Sequence, residues 1–129
     1  MYQEKLPKNC PPQSAVENDT IILYRIFHGN QLDASELMPY NRLYPKNKRF
    51  QQLCEAFAIS FYTDYDLAIS KYNEILNKGK KMGNFIAKLR IKAKSGLIKI
   101  NNNTGHCNFW FYQHFDISND IECLEIIEL

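Results

Sequence analysis

Apolar positions along the chain recur with two different periods, and the places where the period changes divide it into elements. Ile21 to His28 (IILYRIFH) is a dense run of branched and aromatic side chains, which predicts a first strand. Ala56 to Tyr62 (AFAISFY) predicts a second. Thr63 and Asp66 then form a T-x-x-D start signal, and Leu67, Ala68, Ile69, Tyr72, Ile75 and Leu76 follow at helical spacing, so a helix is expected over about residues 64–77, stopping near Gly79. Phe85, Ala87, Leu89, Ile91 and Ala93 alternate with Lys88, Arg90, Lys92 and Lys94, the pattern of a half-buried strand with one wet, basic face. Ser95-Gly96 is read as a turn that returns Leu97 to Ile100 as a hairpin partner. Cys107 to Tyr112 and Ile121 to Glu128 complete the strands.

Between the first two strands, residues 29–49 carry Gly29-Asn30, Pro39, Pro45 and a basic KNKR run, which reads as a long connection with room for one helical turn near Ser35. Residues 1–19 hold three of the five prolines and read as an extended arm laid over the domain. Strands outnumber helices and the later connections are short. The expected class is therefore α+β: a mainly antiparallel sheet of five to six strands, one principal helix and short extra helices, in a single domain over 1–129.

Composition narrows the class further. With 45% hydrophobic residues in 129, the chain has material for one core and no long polar, featureless stretch. The start has no apolar run behind a basic one, and no later run has the length of a membrane span, so a cytoplasmic location is expected. Cys10, Cys54, Cys107 and Cys123 lack any CxxC pairing and are read as reduced thiols, with no metal site. The net charge of +2 creates no global field, but the charges are segregated. From Ile75 to Phe115 there is no acidic residue, whereas the tail after Phe115 carries Asp116, Asp120, Glu122, Glu125 and Glu128 and no basic one. Two neighbouring strands would neutralise each other in this way.

Three polar residues break their own strand's pattern and therefore need a partner or a task. Arg25 shares its face with Ile21, Leu23 and Phe27, Ser60 lies among small residues, and Glu125 alternates with Ile121, Cys123, Ile127 and Leu129. One reading is structural: Arg25 and Glu125 form a buried ion pair and Ser60 bonds to backbone. The other is functional: the three converge on one cleft, where the guanidinium grips a phosphate or carboxylate and the glutamate stabilises or deprotonates a reacting group. His106 precedes an aromatic strand containing Trp110, which reads either as a plain amphipathic strand or as a wall for stacking on a base or nicotinamide, and His28, at a strand end, is either solvent-facing or a general base.

An arginine in the first strand (LYRIF), a serine on a middle strand before a helix (AISFYTDYDLAISKY) and a glutamate in a closing strand (IECLEIIEL) resemble the layout of ADP-ribosyltransferase-like domains. The YR pair followed by FYTDYDLAISKYNE is also similar to the RES family of NAD-degrading toxins. The resemblance implies NAD as a substrate, with transfer or hydrolysis at its nicotinamide–ribose bond. By that resemblance Arg25 would contact the NAD phosphates or ribose, Ser60 would support the nicotinamide side, and Glu125 or Glu122 would hold the ribose hydroxyls and the oxocarbenium-like transition state; Tyr62, His106 and Trp110 are further candidates for binding the dinucleotide.

The alternative expectation is a non-catalytic binding module. Lys88, Arg90, Lys92 and Lys94, with Lys78, Lys80 and Lys81 from the preceding turn, would track a nucleic-acid backbone. A protein partner would instead use the proline-containing arm and exposed aromatics.

Overall fold

In the computed structural model, which describes residues 1–129, the branched and aromatic runs become strands and the period-3.6 run becomes a helix. The strands are β1 (Val16–Glu17), β2 (Ile21–Phe27), β3 (Ile59–Tyr62), β4 (Phe85–Ile91), β5 (Gly96–Ile100), β6 (His106–Phe111) and β7 (Ile121–Glu128). All pairs are antiparallel, in the order β1-β5-β6-β3-β2-β4-β7. The α+β class holds, with seven strands; the extra one, β1, is two residues long and has no periodicity to read. Helices are α1 (Tyr40–Leu43), α2 (Tyr65–Asn77) and α3 (Ile117–Asp120), with short 3-10 turns at Ala34–Glu36 and Cys54–Phe57. That second turn takes up the start of the expected second strand, which begins only at Ile59.

The expected hairpin between β4 and β5 does not form. β4 lies between β2 and β7, and β5 lies between β1 and β6. A buried side chain with no apolar signature, Asn18, holds this crossing. Its Oδ1 accepts from the Ser95 and Gly96 amides at 2.9 and 3.2 Å, and its Nδ2 donates to the Lys92 carbonyl at 2.9 Å. Gly96 is required here because a Cβ would stand 2.2 Å from the Trp110 carbonyl oxygen. The two wings of the sheet share one core: Leu23, Ala87, Leu89 and Ile91 from β2 and β4 cluster with Ile98, Cys107, Phe109 and Phe111 from β5 and β6. Asn18→Ala leaves two amides and a carbonyl without their partner in a buried place, and a loss of about 2–3 kcal/mol is expected from the urea midpoint.

The opposite face of β2, β3 and β4 is covered by α2, whose Ala68 and Tyr72 pack with Ile26, Tyr62 and Ile86. The cap is Asp64, one residue beyond Thr63: its carboxylate accepts from the Asp66 and Leu67 amides at 2.8 and 3.2 Å. The helix ends at Asn77, and Gly79 follows with φ +84°, the left-handed exit that favours glycine.

A third cluster corrects the reading of four reduced thiols. Cys10 and Cys54 form a disulfide across a sequence separation of 44, with Cα atoms 5.5 Å apart. Tyr2, Leu6, Cys10 and Ala15 of the arm pack with Cys54 around Ala56, Phe57, Ala58 and Trp110. Nothing in the spacing of the cysteines reveals this, because only the fold of the arm brings the two together. Cys107 and Cys123 are free. Burial pushes the Cys107 thiol up to about 12, so it behaves as a small hydrophobe. No helix is long and apolar enough to cross a membrane.

Candidate functional site

Strand alternation sends Arg25 and Ser60 to opposite faces of the sheet, yet their backbones are neighbours. β2 and β3 share a single registered pair, Tyr24 with Tyr62, and Arg25 occupies the place where the ladder stops. Its Nη1 donates to the Ser60 carbonyl at 2.7 Å, while Nη2 and Nε donate to the Glu36 carbonyl at 2.7 and 3.1 Å. The guanidinium carbon stands 6.0 Å from the Phe61 ring centroid. Burial pulls its pKa below the usual arginine value, opposed by Tyr40, Glu36 and Tyr62. All three nitrogens are thus engaged by main-chain carbonyls, as a substitute for the missing ladder bonds. Arg25 is a satisfied core polar residue, although its partner is backbone and not Glu125.

On the helix-facing side, register places Tyr62 opposite His106 and Ser60 opposite Asn108. His106 Nε2 lies 3.1 Å from Ser60 Oγ, and the Tyr62 ring meets the imidazole edge-on with centroids 5.5 Å apart. Either the hydroxyl donates to the ring or the ring N–H donates to the hydroxyl, according to tautomer. Ser60, His106 and Asn108 are each half-buried, reachable from outside but screened from bulk water. Burial first, and then the nearby Lys71 charge, hold the His106 pKa below the ordinary imidazole value. The neutral ring therefore prevails at pH 7.

The consequence for stability has a definite sign. Unfolded His106 takes up a proton near its free pKa of about 6.5, whereas the folded ring resists it, so stability should fall as pH drops from about 6.5 towards the lowered folded value and then level off. An NMR titration of the ring protons should place the His106 midpoint below about 6.5. His106→Gln should flatten that limb of the stability profile.

The other expected site residues do not join this group. Trp110 is buried, and its Nε1 donates to the Cys54 carbonyl at 3.1 Å, so it has no free face for a ligand. Glu125 lies on the edge strand β7, paired in register with Lys88. It is three strands from Ser60, or about 14 Å at the usual spacing, and it is exposed. The cause is a bulge: Leu89 pairs with Cys123 but Lys88 pairs with Glu125, so Leu124 is the extra residue and the strict alternation through Glu125 breaks. Glu122 is tied to Arg90 at 2.6 Å. His28 is exposed just past β2, where its amide donates to Glu36 Oε1 at 3.3 Å. Arg25, Ser60 and Glu125 therefore share no hollow.

The basic strand face is neutralised in part, at Arg90 and Lys92. Arg90 pairs with Glu122, Lys92 reaches Asp120 at 3.9 Å, and Lys88 stands opposite Glu125. Lys92 and Lys94 lie beyond the end of β4 at Ile91, so the four do not form one strand stripe. A cavity of about 10 Å³ between Pro39, Phe57, Ile59 and Trp110 has room for one water at most. No group of three or more His, Cys, Asp or Glu side chains is placed to hold a metal ion. No protein-family model matches the chain, and neither does any curated protein or solved structure.

Proposed function

We propose that this domain is a reversible binding module whose ligand seats on the Ser60–His106 pair beside Tyr62, with NAD as the first ligand to test. The reading rests on one observation: a neutral histidine and a serine hydroxyl, 3.1 Å apart, are held half-exposed on a rigid sheet face with Lys71 close by. Such a set exchanges hydrogen bonds with a carboxamide or heteroaromatic ring, and the lysine favours an attached phosphate. The choice of dinucleotide comes from the sequence resemblance to ADP-ribosyltransferase-like domains alone, and of the residues that carry it only Ser60 lies at this site. Turnover is not part of the proposal, since Glu122 and Glu125 lie on the far edge strand, Glu122 paired with Arg90 and Glu125 exposed opposite Lys88.

Location is part of the same reading. A Cys10–Cys54 bond is of the kind kept in oxidising surroundings and is rare in the reducing cytoplasm, which favours the former over the cytoplasmic expectation.

Calorimetric titration with NAD, nicotinamide and AMP tests the binding site. Ser60→Ala and His106→Gln should each weaken NAD about tenfold, the equivalent of one hydrogen bond, while Glu122→Gln and Glu125→Gln leave affinity unchanged. Absence of heat with all three ligands at pH 7 would end the proposal. Release of nicotinamide that depends on Glu125 would instead restore the catalytic reading.

A further inference from the structure

The long connection before β3 holds the other unusual surface of the molecule. Between Glu36 and Glu55 there is no acidic residue, while Arg42, Lys46, Lys48 and Arg49 are basic. Residues 42–49 are all exposed. In their midst Tyr40 and Tyr44 are each 54% exposed, and Leu43 is 42% exposed. Single exposed side chains of this kind are ordinary, but several gathered in one patch mark a candidate interaction surface.

These rings are arranged, not loose. Tyr40 stacks on Phe50 with centroids 5.3 Å apart and an interplanar angle of 29°, and Tyr44 contacts both at 6.0 and 5.7 Å. The backbone beneath is braced by Gln51, whose Nε2 donates to the Asn41 and Tyr44 carbonyls at 2.9 and 3.2 Å, and by Asn47, which accepts from the Phe50 amide at 3.1 Å. The disulfide at Cys54 anchors the segment's end to the arm. Of the four cations, only Arg42 has a carboxylate partner, Glu4 at 3.4 Å, in contrast to Arg90 and Lys92, which pair with Glu122 and Asp120.

From this we infer that residues 40–50 form a docking surface for single-stranded nucleic acid, independent of the Ser60–His106 site. Tyr44 and Tyr40 offer ring faces on which bases stack without regard to sequence, and Lys46, Lys48 and Arg49 meet the backbone phosphates. Duplex offers no unstacked bases to these rings and would gain only the charge interaction.

Fluorescence anisotropy of labelled oligothymidylate, about 12 nucleotides long to match a small-domain footprint, provides the test. The full chain should bind it, with affinity falling as salt rises. Tyr44→Ala should weaken binding about tenfold and Tyr44→Phe should not, since stacking needs only the ring. Lys46→Glu together with Lys48→Glu should reduce the magnitude of the salt slope by about two phosphate contacts. Lys88→Ala and Ser60→Ala should bind as the wild type does. The inference is overturned if the oligonucleotide leaves anisotropy unchanged at low salt, or if Tyr44→Ala binds as tightly as the wild type. It is likewise overturned if phosphatidylserine vesicles bind while the oligonucleotide does not, which would reassign the surface to a membrane.

Discussion

Arg25→Met should destabilise the domain by about 4 kcal/mol, whether or not any ligand is present. The substitution keeps the aliphatic bulk but removes the donors to two carbonyls, Ser60 and Glu36, each costing about 1–3 kcal/mol when left unpaired away from water. It also frees the 3-10 turn at Ala34–Glu36 from β3, because one guanidinium joins both. Arg25→Lys should recover only part of the loss, since a single ammonium lacks the fork that reaches two carbonyls at once. Urea denaturation followed by circular dichroism reads the difference. A methionine variant that keeps wild-type stability but loses ligand would show that the guanidinium serves the ligand instead.

The second large effect concerns the arm. In the chain-entropy model, closing a loop with a sequence separation of 44 stabilises the fold by about 4 kcal/mol, so the paired variant Cys10→Ser with Cys54→Ser should lose up to that amount. Trp110, the single tryptophan, reports on the same region because its indole donates to the Cys54 carbonyl. Its emission should shift to longer wavelength in the variant or on reduction, while the far-ultraviolet signal of the sheet changes little. Thiol titration of the unreduced, denatured chain should count two reactive sulfurs, Cys107 and Cys123. A count of four would remove the disulfide and with it the preference for an oxidising compartment.

Both effects show where sequence reasoning reached and where it stopped. The periodicity in Leu67–Leu76 sufficed for α2 because a helix is closed by local hydrogen bonds, and its signals lie within a few residues of one another. The alternation in 85–91 likewise identified β4 and its wet face. Arg25 and Ser60 stood out correctly as polar residues in apolar settings, and so did the charge balance between β4 and the tail. Alternation could not show that the arginine's partners are carbonyls 11 and 35 residues away, nor that Leu124 is a bulge turning Glu125 outward. Asn18 gave no signal at all, as one polar residue in a polar stretch.

What the chain alone determined is therefore local: the main strands and α2, the wet face of β4, and the α+β class that follows. Tertiary structure decided the pairing of β5 with β6 instead of β4, the Cys10–Cys54 bond, and the meeting of His106 with Ser60 across 46 residues. The reason is physical. Local periodicity is imposed by backbone geometry within a few residues, whereas strand order and side-chain meetings are set by which distant surfaces bury each other best, and no short window of sequence contains both.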